Sequence, residues 1–160
     1  GLPLQLVDCC RAQGRDFFVV ALEGFADMDA LNGVPHAVVR LGAVGESLMH
    51  FKNANARQLV LAGRVKRPSL PSLRPDVVGA KLLAQLGKAF FSGDDALLSA
   101  VIRFLEQEGF TVVGADAVLA SLLATAGVMG RISPDAQAQA DITQGLAVAR
   151  ALGALDVGQA

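Results

Sequence analysis

Two short stretches hold the residue types that could meet an anionic substrate. The first, Ala62-Gly63-Arg64-Val65-Lys66-Arg67-Pro68, sets three cations within four residues directly after an apolar run. Cations so closely spaced can neutralise a pyrophosphate through charge-assisted hydrogen bonds, and Gly63 lets the backbone approach a ligand. A solvated basic loop accounts for the same residues. The second stretch is Ser92-Gly93-Asp94-Asp95-Ala96-Leu97-Leu98. Asp94 is placed as a helix N-cap and Asp95 as a charge favourable to the helix dipole, which alone explains both acids. Within a ligand site the two carboxylates would repel phosphate. They would instead hold ribose hydroxyls, a cation or the Arg64–Arg67 loop.

The remaining reactive residue types offer less. His36 and His50 have no partner at metal or catalytic spacing and read as structural or surface residues. Cys9 and Cys10 are neighbours, cannot staple distant segments, and read as small reduced residues on an apolar helical stripe. There is no G-x-S-x-G, no Walker loop, no C-x-x-C and no acid cluster of the two-metal phosphoesterase kind. No residue is assigned a catalytic or metal-binding role on this ground.

The elements that must position these loops alternate between β and α patterns. Leu2, Leu6, Cys9, Cys10 and Gln13 make a helical stripe stopped by Gly14. Phe17–Leu22 and Ala37–Leu41 read as strands, with a helical stripe of Val44, Leu48 and Phe51 after them. Gln58–Ala62 reads as a third strand closed by Gly63. Pro68, Pro71 and Pro75, interspersed with cations that include Arg74, forbid a regular helix and mark a loop. Two helical stripes follow, Leu82, Leu83, Leu86 and Phe90, then Leu97 to Leu105, the latter ended by Gly109. Thr111–Gly114 is a fourth short strand. Ser133-Pro134-Asp135 predicts an N-cap, a first-turn proline and an acid opening a helix to about Leu152, with Gly153 as its stop. Alternation of this kind predicts a Rossmann-like α/β fold, a parallel sheet with helices on both faces. The opening helix has no strand before it, so the first strand is expected to be missing.

Composition bounds the function. The chain has 160 residues, 52% hydrophobic and 18% charged, which excludes a disordered protein. A net charge of −1 and the lack of Trp and Tyr argue against nucleic acid as a partner. Reduced cysteines and the lack of a long apolar run predict a cytoplasmic protein. Gly1 in place of Met and the ending Leu155-Asp156-Val157-Gly158-Gln159-Ala160 are read as signs of a fragment.

Three stretches in order carry a resemblance. Leu61–Pro68, then Gly93-Asp94-Asp95-Ala96-Leu97-Leu98 leading into Phe104-Leu105-Glu106-Gln107-Glu108-Gly109-Phe110, then Leu152–Ala160, resemble UDP-2,3-diacylglucosamine pyrophosphatases of lipid A biosynthesis, the two-domain type unrelated to calcineurin-like phosphoesterases. The resemblance runs from Gly1 to Ala160 and covers the first half of such an enzyme. It implies hydrolysis of UDP-2,3-diacylglucosamine to UMP and 2,3-diacylglucosamine 1-phosphate, assisted by Mg²⁺ whose ligands lie outside this chain. It places the catalytic aspartate in a second domain beyond Ala160. Residues 1–132 would form the amino-terminal Rossmann-like domain, and residues 133–160 a linking helix and the start of the second. Gly63, Arg64 and Arg67 match the loop facing the pyrophosphate or uridine. Asp94 and Asp95 match a cleft turn that shapes the site or contacts ribose. Gln159 matches a Gly-Gln pair approaching the ligand. Phe90, Phe91, Val118, Leu119, Leu122 and Leu123 would line an acyl groove or pack as core. The lipid substrate implies peripheral contact with the inner membrane, and a homodimer is compatible with the pattern. The alternatives are a stand-alone nucleotide-sugar binding or regulatory module without catalysis, and a structural α/β domain that mediates dimer contacts.

Overall fold

Proline at the first turn and glycine just past the last residue bracket helix α1, Leu2–Ala12, of the computed structural model, which describes residues 1–66, 73–87 and 94–155. The described chain divides into two compact units, Gly1–Leu122 and Leu123–Ala160.

In the first unit, α1 ends with Gly14 at φ +62, the Gly14 N–H donating to the Arg11 carbonyl and the Arg15 N–H to the Cys10 carbonyl. Helix α2, Val44–Asn53, closes the same way around Asn55 at φ +52. Helix α4, Asp94–Gln107, closes around Gly109, as expected. These reversals satisfy the last carbonyls of each helix and aim the chain into the next strand.

Strand β1, Val19–Leu22, pairs in parallel with β2, His36–Val39, with Val19 opposite His36 and Leu22 opposite Val39. Strand β3, Gln58–Leu59, pairs in parallel with β4, Thr111–Val112. The fold is Rossmann-like α/β with parallel strands. Among the described residues the pairing falls into two two-stranded sheets rather than one continuous sheet.

The strands are shorter than the apolar runs that announced them. Phe17 packs into the core beside Val7, and Phe18 stacks on His50 at 6.1 Å, so both are used for packing ahead of β1. Val60 turns toward α1, and Leu61 is exposed. Strand β2 ends at Val39 because the backbone reverses there, the Ala43 N–H donating to the Arg40 carbonyl.

Helix α1 serves both sheets: Val7 is buried with Ala21 of β1, while Leu6 and Cys10 pack with Val60 and Val118. The largest cluster joins Leu48 of α2, Leu59 of β3, Leu82 and Leu86 of α3 (Val77–Leu86), Phe104 and Leu105 of α4, and Phe110. Burying a Leu or Phe side chain contributes about 1.5–3 kcal/mol, so this cluster holds the helices around β3 and β4.

In the second unit, helix α5 spans Ala136–Ala154. Its N-cap is Asp135, whose carboxylate accepts the Ala138 N–H at 2.8 Å. The start therefore lies two residues later than Ser133-Pro134 suggested, because Asp135 and not Ser133 reaches the free amides of the first turn. Gly153 lies inside the helix, and none of its residues is buried. No described helix is long and apolar enough to cross a membrane.

Candidate functional site

In open parallel sheets, ligands bind beyond the carboxyl ends of the strands. Strand β2 of one sheet ends into Arg40-Leu41-Gly42-Ala43 ahead of α2, and β3 of the other sheet ends at its carboxyl edge into Val60–Gly63. Helix α4 runs for 14 residues, about 20 Å at the helical rise, before the chain turns into β4. Because β4 is parallel to β3, that crossover sets the start of α4 toward the same edge.

The basic loop occupies this edge. Gly63 adopts φ +111, a backbone region that side-chain-bearing residues rarely enter. A Cβ added there would stand 3.8 Å from the Pro3 ring, so the loop passes beside the amino end of α1. Arg64 and Lys66 are exposed immediately after it. Exposed cations in a loop beside the positive end of a helix dipole are groups that can bind an anion. Of the expected site residues, Gly63 and Arg64 are neighbours in the chain, and Pro3, which sequence reasoning did not single out, stands beside Gly63.

Arg67 and Gln159 lie outside the described residues, as do Phe90 and Phe91. Asp94 and Asp95 are the first two residues of α4, so Asp94 stands inside the helix rather than at the cap; the placement of their side chains is likewise outside the description. Val118 is buried against Leu6 and Cys10, with Leu119 packed beside it, which makes both of them core residues. Leu122 and Leu123 are exposed.

A second feature, past the end of β2, escaped the sequence reading. Asp76 caps α3, one carboxylate oxygen accepting the Gly79 N–H at 2.7 Å. Its other oxygen accepts from Gly45 at 2.7 Å and from Glu46 at 3.3 Å, the first amides of α2. The Asp76 N–H donates to the Gly42 carbonyl at 3.2 Å. A single aspartate therefore ties two helix starts together through its carboxylate and holds the β2–α2 turn through its own N–H. The packing is close, since a Cβ on Gly42 would collide with the Leu73 carbonyl and one on Gly79 with the Gly42 carbonyl. The local signal was present, an aspartate after Pro75 and before a helical apolar stripe. Its partners on α2, some 30 residues away, leave no mark in that pattern.

The histidines and cysteines have ordinary structural surroundings. His36 Nδ1 sits 2.8 Å from the Val34 carbonyl, and His50 stacks on Phe18. Cys9 and Cys10 are free thiols, Cys10 buried and the Cys9 thiol donating to the Val118 carbonyl at 3.3 Å. Among the described residues, no three His, Cys, Asp or Glu side chains form a group that could hold a metal ion. The described edge is therefore equipped to bind an anion, and no nucleophile–base pair forms within it.

A family model described as the LpxI N-terminal domain matches residues 1–122. A curated protein of Caulobacter vibrioides, "UDP-2,3-diacylglucosamine pyrophosphatase LpxI", is 39% identical over 158 residues. That match covers 99% of this chain and 56% of the relative, so the chain spans little more than half the relative's length.

Proposed function

Because the chain belongs to the LpxI N-terminal domain family, we propose that it supplies the substrate-binding half of a hydrolase acting on UDP-2,3-diacylglucosamine. The products are UMP and 2,3-diacylglucosamine 1-phosphate, and the reaction is a step of lipid A biosynthesis. The observation that carries this reading is the 39% identity along nearly the whole chain to a protein named for that activity.

The site chemistry supports the division of labour. A diphosphate carries its charge on non-bridging oxygens, and further charge develops on them as the bond to the leaving group breaks. Arg64 and Lys66 present donors to that charge beside the amino end of α1, and Arg67 continues the same basic run. Asp94 and Asp95, at the start of α4, have the sign to hold ribose hydroxyls rather than phosphate. Gln159 belongs to the approach from the second domain, to which residues 133–160 provide the link. The acid that activates water is assigned to that second domain. Among the described residues no three His, Cys, Asp or Glu side chains form a group fit for Mg²⁺, and the ligands of the ion are assigned outside this chain. The enzyme would work in the cytoplasm, in peripheral contact with the inner membrane that holds its lipid substrate.

Alanine at Arg64 in the intact gene product should weaken substrate binding by about 1.5–3 kcal/mol, the loss of a charged hydrogen bond, read as a raised KM for UMP release. A KM equal to that of the parent would remove Arg64 from the site.

A further inference from the structure

The apolar residues of α5 are ordered although nothing among the described residues covers them. None of residues 123–155 is buried, and within α5 only Ala138 and Ala149 are half-buried. Ala138, Ile142, Gly145, Ala149 and Leu152 recur at alternating spacings of four and three residues, with Leu146 beside them. That spacing keeps them on one stripe of the helix, while Ala140, Thr143, Ala147 and Ala151 fall on the other side. Ile142, Leu146 and Leu152 are exposed along the stripe. A shallow recess over Gly145 is walled by Gln144, Val148, Ala149 and Leu152, and a Cβ added at Gly145 would meet nothing within 4 Å. A recess of this kind between apolar side chains is what a facing side chain fills when a helix packs. Most helical stability in proteins comes from such packing.

Three observations select what covers the stripe. The compact first unit and the matched N-terminal domain both stop at residue 122, so α5 lies outside that domain. The similarity to the Caulobacter protein nevertheless covers 99% of this chain and only 56% of that relative, which has further length to lay against the helix. The charges of residues 123–155 balance, Arg131 and Arg150 against Asp135 and Asp141, which gives no attraction to an anionic lipid surface.

We propose that the stripe from Ile142 to Leu152 is the seat of the second domain of the intact protein, an interface within one molecule. That the intact protein has such a domain rests on the function proposed above; the apolar stripe does not.

The experiment labels introduced cysteines in the intact gene product, with the parent supplying the background of Cys9 and Cys10. I142C and L146C lie on the stripe, T143C and A147C on the other side. The two stripe variants should react with a thiol reagent about tenfold more slowly than the other two, as expected for sites that must open before they react. L146D should lower the melting temperature of the intact protein, and A147D should leave it at the parent's value. A photoreactive phenylalanine analogue at Val148, on the rim of the stripe, should crosslink to residues beyond Ala160 of the same molecule. Crosslinks to residues 1–122 or to a second copy would overturn the proposal, as would protection that appears only with phosphatidylglycerol vesicles. Equal labelling at the four positions with normal UMP release would overturn the interface and leave the proposed function standing. Slow labelling of the stripe in a protein that releases no UMP would uphold the interface and reject the substrate assignment.

Discussion

The two units use their apolar residues in opposite ways. In residues 1–122, leucines and phenylalanines from α2, α3, α4 and β3 are spent on shared clusters, so that Phe104 is 3% exposed and Leu48 4%. In the second unit, α5 is the longest helix described, yet Ile142, Leu146, Val148 and Leu152 remain at least 40% exposed. The first unit is therefore held by tertiary packing. Within the described residues, helix α5 draws on its cap and its alanine-rich composition.

That contrast can be broken or sharpened by substitution. The largest effect is expected from Phe104→Ala, which should cost the first unit about 3–5 kcal/mol in a denaturant titration through lost burial and a residual cavity. Gly42→Ala should come next, at about 2 kcal/mol, because the new methyl meets the Leu73 carbonyl and the clasp must open to admit it. In α5 the same type of measurement should show far less. Asp135→Ala should remove about 1 kcal/mol of local stability, read as faster amide exchange in the first turn with little change in the melting of the first unit. Gly145→Ala should strengthen α5 by a similar or smaller amount, about 0.5–1 kcal/mol, since nothing lies within 4 Å of the added methyl. A global loss of several kcal/mol from either α5 variant would show that the two units do not differ as described.

Much of the first unit was legible because its signals are local and repeated. The stripe Leu97, Leu98, Val101, Ile102 and Leu105 announced α4, and Gly109 its end. The parallel pairing followed from strands separated by helices. Strand length was less legible: Phe17, Phe18 and Val60 have strand-like composition, and their neighbours in space recruit them for packing instead. The start of α5 was misplaced by two residues because Ser133-Pro134-Asp135 contains two competent caps.

The candidate site was legible to the extent that composition marks it. Gly63 shows in the sequence as a glycine closing an apolar run, and its φ of +111 supplies the physical need for that residue. Arg64 and Lys66 were visible as a charge cluster. Asp76 was not, because its meaning lies in bonds to Gly42, Gly45 and Glu46 across the α2 turn. A cap that serves two helices at once has no one-dimensional signature.

The central claim is that this chain binds the substrate of a pyrophosphatase whose chemistry is completed elsewhere in the enzyme. It is tested most directly by measuring UMP release from UDP-2,3-diacylglucosamine with Mg²⁺, comparing the intact gene product, its Arg64→Ala variant and residues 1–160 alone. The account predicts turnover by the intact protein, a raised KM in the variant, and none by residues 1–160. Release of UMP by residues 1–160 alone, or silence of the intact protein, would contradict it.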